Sequence, residues 1–178
     1  VNSMSDAATT NDEPTVEEVE VAPYLNLYLK QVEIPVSSAL IQAVGKLNMA
    51  NYVVIANEDG TYATITEIGY MEIGDQFKTV FLPGEICQDL VAPNGISLLG
   101  SYAITGKNYE SQAACSIFGE DIQCFGLMND AIGYVVPDND FTMGDPANHY
   151  HELISLGQGV ASALTDGLAD LNAEIVRV

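Results

Sequence analysis

The sequence predicts an α/β fold, with α+β as the open alternative: a mixed sheet with a hairpin, polar residues gathered at strand ends, and a closing amphipathic helix. Three observations predict it. Two β-rich runs, Tyr52-Val53-Val54-Ile55-Ala56 and Tyr62 to Tyr70, flank Asn57-Glu58-Asp59-Gly60, the residue types that hairpin turns favour. Two short apolar runs, Lys78 to Leu82 and Ile122 to Leu127, each empty into a polar cluster. From Ser155 to Ile175 the apolar residues Val160, Ala163, Leu164, Leu168 and Leu171 recur at helical spacing.

Residues 1–22 contain Asp6, Asp12, Glu13, Glu17, Glu18 and Glu20 and no basic residue, which predicts an acidic tail or linker. The pattern changes at Tyr24: Tyr24 to Leu29 alternates in part, and Val32-Glu33-Ile34-Pro35 extends it as a strand that proline ends. Ser37 or Ser38 is placed to cap a short helix over Ala39 to Val44, closed by Gly45. After the hairpin, Tyr70 to Asp75 heads into a turn, and Lys78 to Leu82 forms a short strand that leaves Glu85 just past its C-terminal end. Ile86 to Val91 reads as a helix or turn, broken by Pro93-Asn94-Gly95. Gly100 to Cys124 reads as a long loop with short ordered pieces, and Pro137-Asp138-Asn139-Asp140 as a turn. Residues 23–178 are therefore expected to form one globular body, itself a portion of a larger domain.

Composition narrows the partners. Hydrophobic residues make up 48% of the 178, enough apolar surface to offset the entropy of ordering the chain. Twenty-five acidic residues against five basic ones give a net charge of -20, which repels phosphate backbones and anionic lipid. Nucleic acid is excluded as a partner on that ground. No run approaches the roughly 18 apolar residues of a membrane span, so no transmembrane segment is expected. An extracellular or cell-surface setting suits such an acidic chain, and any export signal would lie upstream of Val1. Cys87, Cys115 and Cys124 have no thiolate metal-site spacing; Cys115 and Cys124 either close a local disulfide loop or stay as free thiols.

Chemistry gathers in three places: Pro83-Gly84-Glu85, the run from Leu127 to Tyr134, and His149-Tyr150-His151-Glu152, which holds both histidines of the chain. The first two lie at strand ends, where α/β sheets assemble sites. Each also has a plain structural reading. Pro-Gly-Glu after a strand is often a turn with a solvated acid, an aromatic after glycine often belongs to the core, loop histidines are often simply exposed, and Asn129 with Asp130 can brace a turn.

The motifs TEIGYMEIG (66–74), FLPGEI (81–86), GLMNDAIGYVVPDNDF (126–141) and HYHELISLGQG (149–159) occur in order within residues 28–172. Together they resemble the end of the catalytic domain of the neutral, non-lysosomal ceramidases and their bacterial relatives. That family holds a zinc ion with two histidines, a glutamate and a tyrosine, and a zinc-bound water attacks the amide of an N-acyl lipid. The resemblance implies Glu85 and Tyr134 as metal ligands, with His149, His151 and Glu152 near the pocket on the substrate side. It departs from the family at the other half of the shell: nothing before Glu85 is a histidine. The expected protein is thus the C-terminal part of a zinc amidohydrolase, inactive alone and completed by an upstream portion or a second chain. The alternative is a non-catalytic acidic module, binding or structural, that keeps the scaffold only.

Overall fold

The computed structural model describes residues 18, 20–50, 52–91, 112–141 and 150–176. Most of the acidic stretch 1–22 lies outside them, as does the first part of the expected loop, up to residue 111. Among the described residues the chain has mixed helix and strand around a mixed sheet, as the α/β and α+β readings both require.

Strands β1 (Leu25–Pro35) and β3 (Tyr62–Ile73) pair antiparallel along their whole shared length, from Leu25 opposite Ile73 to Pro35 opposite Ala63. Between them, α1 (Ala39–Lys46) starts where the Ser38 hydroxyl accepts from the Ile41 amide, and it runs one residue past Gly45. Strand β2 (Ile55–Ala56) forms the expected hairpin with β3 but contributes only two paired residues. The long partner of β3 is instead β1, which offers eleven residues to bond. A three-residue turn at 74–76 leads antiparallel into β4 (Phe77–Phe81), and β6 (Gln123–Phe125) adds parallel beyond it. The order is β1, β3, β4, β6, with β2 beside β4 on the far edge of β3.

One face of this sheet is covered. Helix α4 (Val160–Glu174) lays Val160, Ala161, Leu164, Leu168 and Leu171 against Val32, Ile34, Ile68, Tyr70 and Val80, all buried in one cluster. The approach is close at Gly167, where a Cβ would stand 2.8 Å from Val32 and 3.3 Å from Ile68. The short helix α2 (Ala114–Phe118) packs beside α4 and stacks Phe118 on Tyr70 with ring centroids 5.4 Å apart. The closing helix begins at Val160, five residues later than apolar spacing alone suggests. Its start is set by Asp138, whose carboxylate accepts from the Gly159 amide at 2.7 Å and the Ser162 amide at 3.1 Å. Those amides would otherwise lack partners at a helix N-terminus, where a negative charge is also favoured. The end of the chain's described part returns to its beginning: Lys30 pairs with Glu174, and the Val176 amide donates to the Tyr28 hydroxyl. All three cysteines are free thiols, and burial pushes the Cys124 thiol up to about 12.

Candidate functional site

The strands that run parallel as β4 and β6 bend at their C-terminal ends and then pair again. Strand β5 (Glu85–Ile86) lies parallel to β7 (Tyr134–Val135), with Glu85 directly opposite Tyr134 and Ile86 opposite Val135. Backbone bonds stitch the bend together: Leu82 N to Phe125 O at 2.9 Å, Leu127 N to Gly84 O at 3.0 Å, Ile132 N to Pro83 O at 3.0 Å and Glu85 N to Gly133 O at 3.0 Å. Glycine is required on both sides of this seam. A Cβ on Gly84 would stand 2.6 Å from the Gly133 carbonyl, and one on Gly133, whose φ is +88°, would stand 2.2 Å from the Ile154 carbonyl. The loop 127–130 between the two strand pairs is tied to β3, since Asn129 donates to Glu67 at 3.0 Å and the Thr66 hydroxyl donates to Asp130. Those two residues brace a loop, the structural role open to them from sequence.

Glu85 and Tyr134 are both half-buried, and their side chains interact. Partial burial raises the Tyr134 phenol above its ordinary pKa, and the Glu85 carboxylate raises it further by charge and hydrogen bonding. The phenol is therefore protonated at neutral pH. Helix α3 (Tyr150–Leu153) brings two more rings to the pair. His151 lies 4.4 Å from Tyr134 between ring centroids, and Tyr150 lies 5.9 Å from both, edge-on. Tyr150 was not singled out from the sequence, although its place between two histidines was the available signal. His149 lies outside the described residues.

Glu152 follows His151 by one residue and so points to another side of α3. It is 5% exposed and lines a cavity of about 840 Å³ together with Ser37, Ser38, Asp138, Phe141 and Gly157. Of the five residues expected to act, the fold thus brings Glu85, Tyr134 and His151 to one place and sets Glu152 in the wall of the cavity.

A carboxylate, a phenol and an imidazole are oxygen and nitrogen donors of the kind zinc accepts, so the donor chemistry fits a zinc ion in part. The fit is incomplete: among the described residues no group of three His, Cys, Asp or Glu side chains stands close enough to hold a metal ion. Among the same residues, no helix is long and apolar enough to cross a membrane. No family model matches the chain, and neither any curated protein nor any solved structure does.

Proposed function

We propose that this chain is the C-terminal part of a zinc-dependent amidohydrolase resembling the neutral ceramidases, acting on the amide of an N-acyl lipid at or outside the cell surface. Glu85 and Tyr134 would hold the zinc, and an upstream portion of the same domain or a second chain would supply the remaining ligands. When bound, zinc supplies a Lewis acid and an activated water. The hydrolysis breaks the amide C–N bond, adding hydroxyl to the acyl carbon and a proton to the leaving amine. Glu85 offers an anionic donor that offsets the cation, Tyr134 a neutral phenol that the cation would acidify, and His151 an imidazole able to exchange a proton beside them. Glu152 would line the substrate side of the pocket.

The observation that carries this reading is the register of β5 on β7. Glu85 and Tyr134 stand 49 positions apart in the chain, yet occupy directly opposite places on the two parallel strands of a second, small sheet that follows β4 and β6.

The test is native mass spectrometry with metal analysis on material purified from its natural source, alongside hydrolysis of an N-acyl amide. The expected result is a complex with further polypeptide, about one zinc per complex, and turnover; Glu85→Gln and Tyr134→Phe should each weaken zinc binding by about 100-fold or more, beyond the effect of outer-shell changes. A metal-free 19.0 kDa species without turnover would replace this reading with the non-catalytic module. Turnover by the isolated chain would refute the claim that it needs completion.

A further inference from the structure

Antiparallel residues directly opposite each other share a face, so the register assigns every side chain of the sheet to one side or the other. Facing α4 are Tyr28, Val32, Ile34, Ile68 and Tyr70. The opposite face carries Leu25, Leu27 and Leu29 on β1, Ile73 and Met71 on β3, Phe77 and Phe81 on β4, and Phe125 on β6, with the polar Thr79 and Gln123 set in the Leu27 row. Nothing among the described residues covers it: Leu25, Leu27 and Leu29 are 63%, 55% and 53% exposed, and Ile73, Phe77 and Phe125 are exposed beside them. A contiguous apolar patch of this kind marks an interaction surface in a soluble protein. A strand apolar on both sides is the pattern of a sheet buried between two layers.

We propose that this outer face is covered, in the working protein, by an apolar layer of another polypeptide segment with a basic rim, and that this segment is the one that completes the zinc site. The second half of that statement rests on the function proposed above.

Charge selects the occupant. Beyond the leucines the same face turns acidic, with Glu67 opposite Gln31 and Glu33 opposite Ile65. The described residues contain three basic side chains, and each is engaged elsewhere: Lys30 with Glu174, Lys78 with Glu72, and Lys46 over the Tyr62 ring. None of the three lies on the outer face, so among the described residues Glu33 has no cation beside it, while Glu67 accepts from Asn129; a partner with basic residues at its rim would complement this acidic part of the face. A second copy would instead set two molecules of net charge -20 against each other. Two further features point to a polypeptide layer. β1 is an edge strand, so its second edge has no strand partner among the described residues along eleven residues, which invites continuation of the sheet. Exposed apolar residues also continue toward the candidate site: past Phe81 and Phe125 come Leu127 and Met128, both exposed, bonded through their amides to Gly84 and Leu82 just before Glu85. A segment lying on this face would end beside the bend that leads into Glu85.

The experiment is hydroxyl-radical footprinting, read residue by residue by mass spectrometry, on the natural-source material and on the isolated chain. Reactivity follows exposure, so burial of side chains now more than half exposed should slow oxidation of Leu25, Leu27 and Leu29 by about fivefold or more in the natural material. Leu47 and Met49, exposed on the link between α1 and β2, should react equally in both. Equal reactivity of the leucines overturns the proposal. So does protection in a species containing only copies of this chain, or protection that phosphatidylcholine vesicles alone confer on the isolated chain. Zinc measured on the same samples separates the two readings. A protected face without zinc sinks the hydrolase and leaves the interface, whereas zinc with an unprotected face does the reverse.

Discussion

The two faces of the one sheet are built from alternate residues of the same strands, and both are apolar, but only one is packed. Under α4, Val32, Ile34, Ile68 and Val80 are buried; on the other side, Leu25, Leu27 and Leu29 stand in the open. Apolar content alone does not separate them, since β1 sets tyrosine, valine and isoleucine on one face and three leucines, followed by Gln31 and Glu33, on the other. What separates them is the presence of an opposing layer. The hydrophobic effect stabilises a side chain only by the area it loses to water, so the inner face carries the stability of the isolated chain and the outer face carries little.

The strongest way to break that contrast is Leu168→Ala, on the buried side of α4. It should cost about 2–5 kcal/mol in chemical denaturation, through lost burial and a residual cavity. A cost below 1 kcal/mol would mean that α4 is not the principal cover of the sheet. A smaller effect is expected at Cys124, on the covered side of β6. Its thiol is pushed up to about 12 from an ordinary 9.0, so the folded state keeps the proton that the unfolded state gives up. The stability this adds is complete below about pH 9 and is lost as the pH rises toward 12, and Cys124→Ala should flatten that alkaline limb. At pH 8 the thiol should also alkylate roughly 30-fold more slowly than a free cysteine, the scarcity of thiolate being partly offset by its higher nucleophilicity.

At the rim of the inner face, Lys30 and Glu174 form an ion pair open to solvent on the Glu174 side. Glu174→Gln should lower the stability only slightly, and less at high salt. The smallest effect belongs to the outer face: Leu27→Ser in the isolated chain should change stability by no more than about 0.5 kcal/mol. A loss of several kcal/mol there would show that the face is already covered within this chain.

Local chemistry made some elements legible in the sequence. Ser38 announces α1 because a hydroxyl there satisfies an amide that the helix leaves free, and the spacing from Val160 to Leu171 announces α4 because one stripe of a helix must be apolar to pack. The start of α4 was not legible, since it depends on Asp138, a residue 22 positions earlier that reads locally as part of a turn. Nor was the pairing of β1 with β3. Tyr52 to Ala56 sits closer in sequence and is the more uniformly β-prone run, so only the competition between the two partners in three dimensions decides. At the site, Glu85 and Tyr134 were legible by residue type and strand-end position, whereas their register depends on β4 meeting β6 across more than forty residues. Tyr150 joins the cluster through a short helix that no strong periodicity marks.

The packing of α4 on β1 also sets a schedule for the chain as it is made. About 125 residues separate the end of that strand from the start of the helix that covers it. At common rates of synthesis, that interval lasts roughly 6–25 s. Throughout it, the strand waits for the helix that covers its inner face, and among the described residues the antiparallel pair with β3 is the early shelter. A ribosome stalled before Val160 would therefore hold out a two-sided apolar ribbon, a species for a chaperone to bind or for a neighbouring chain to add to.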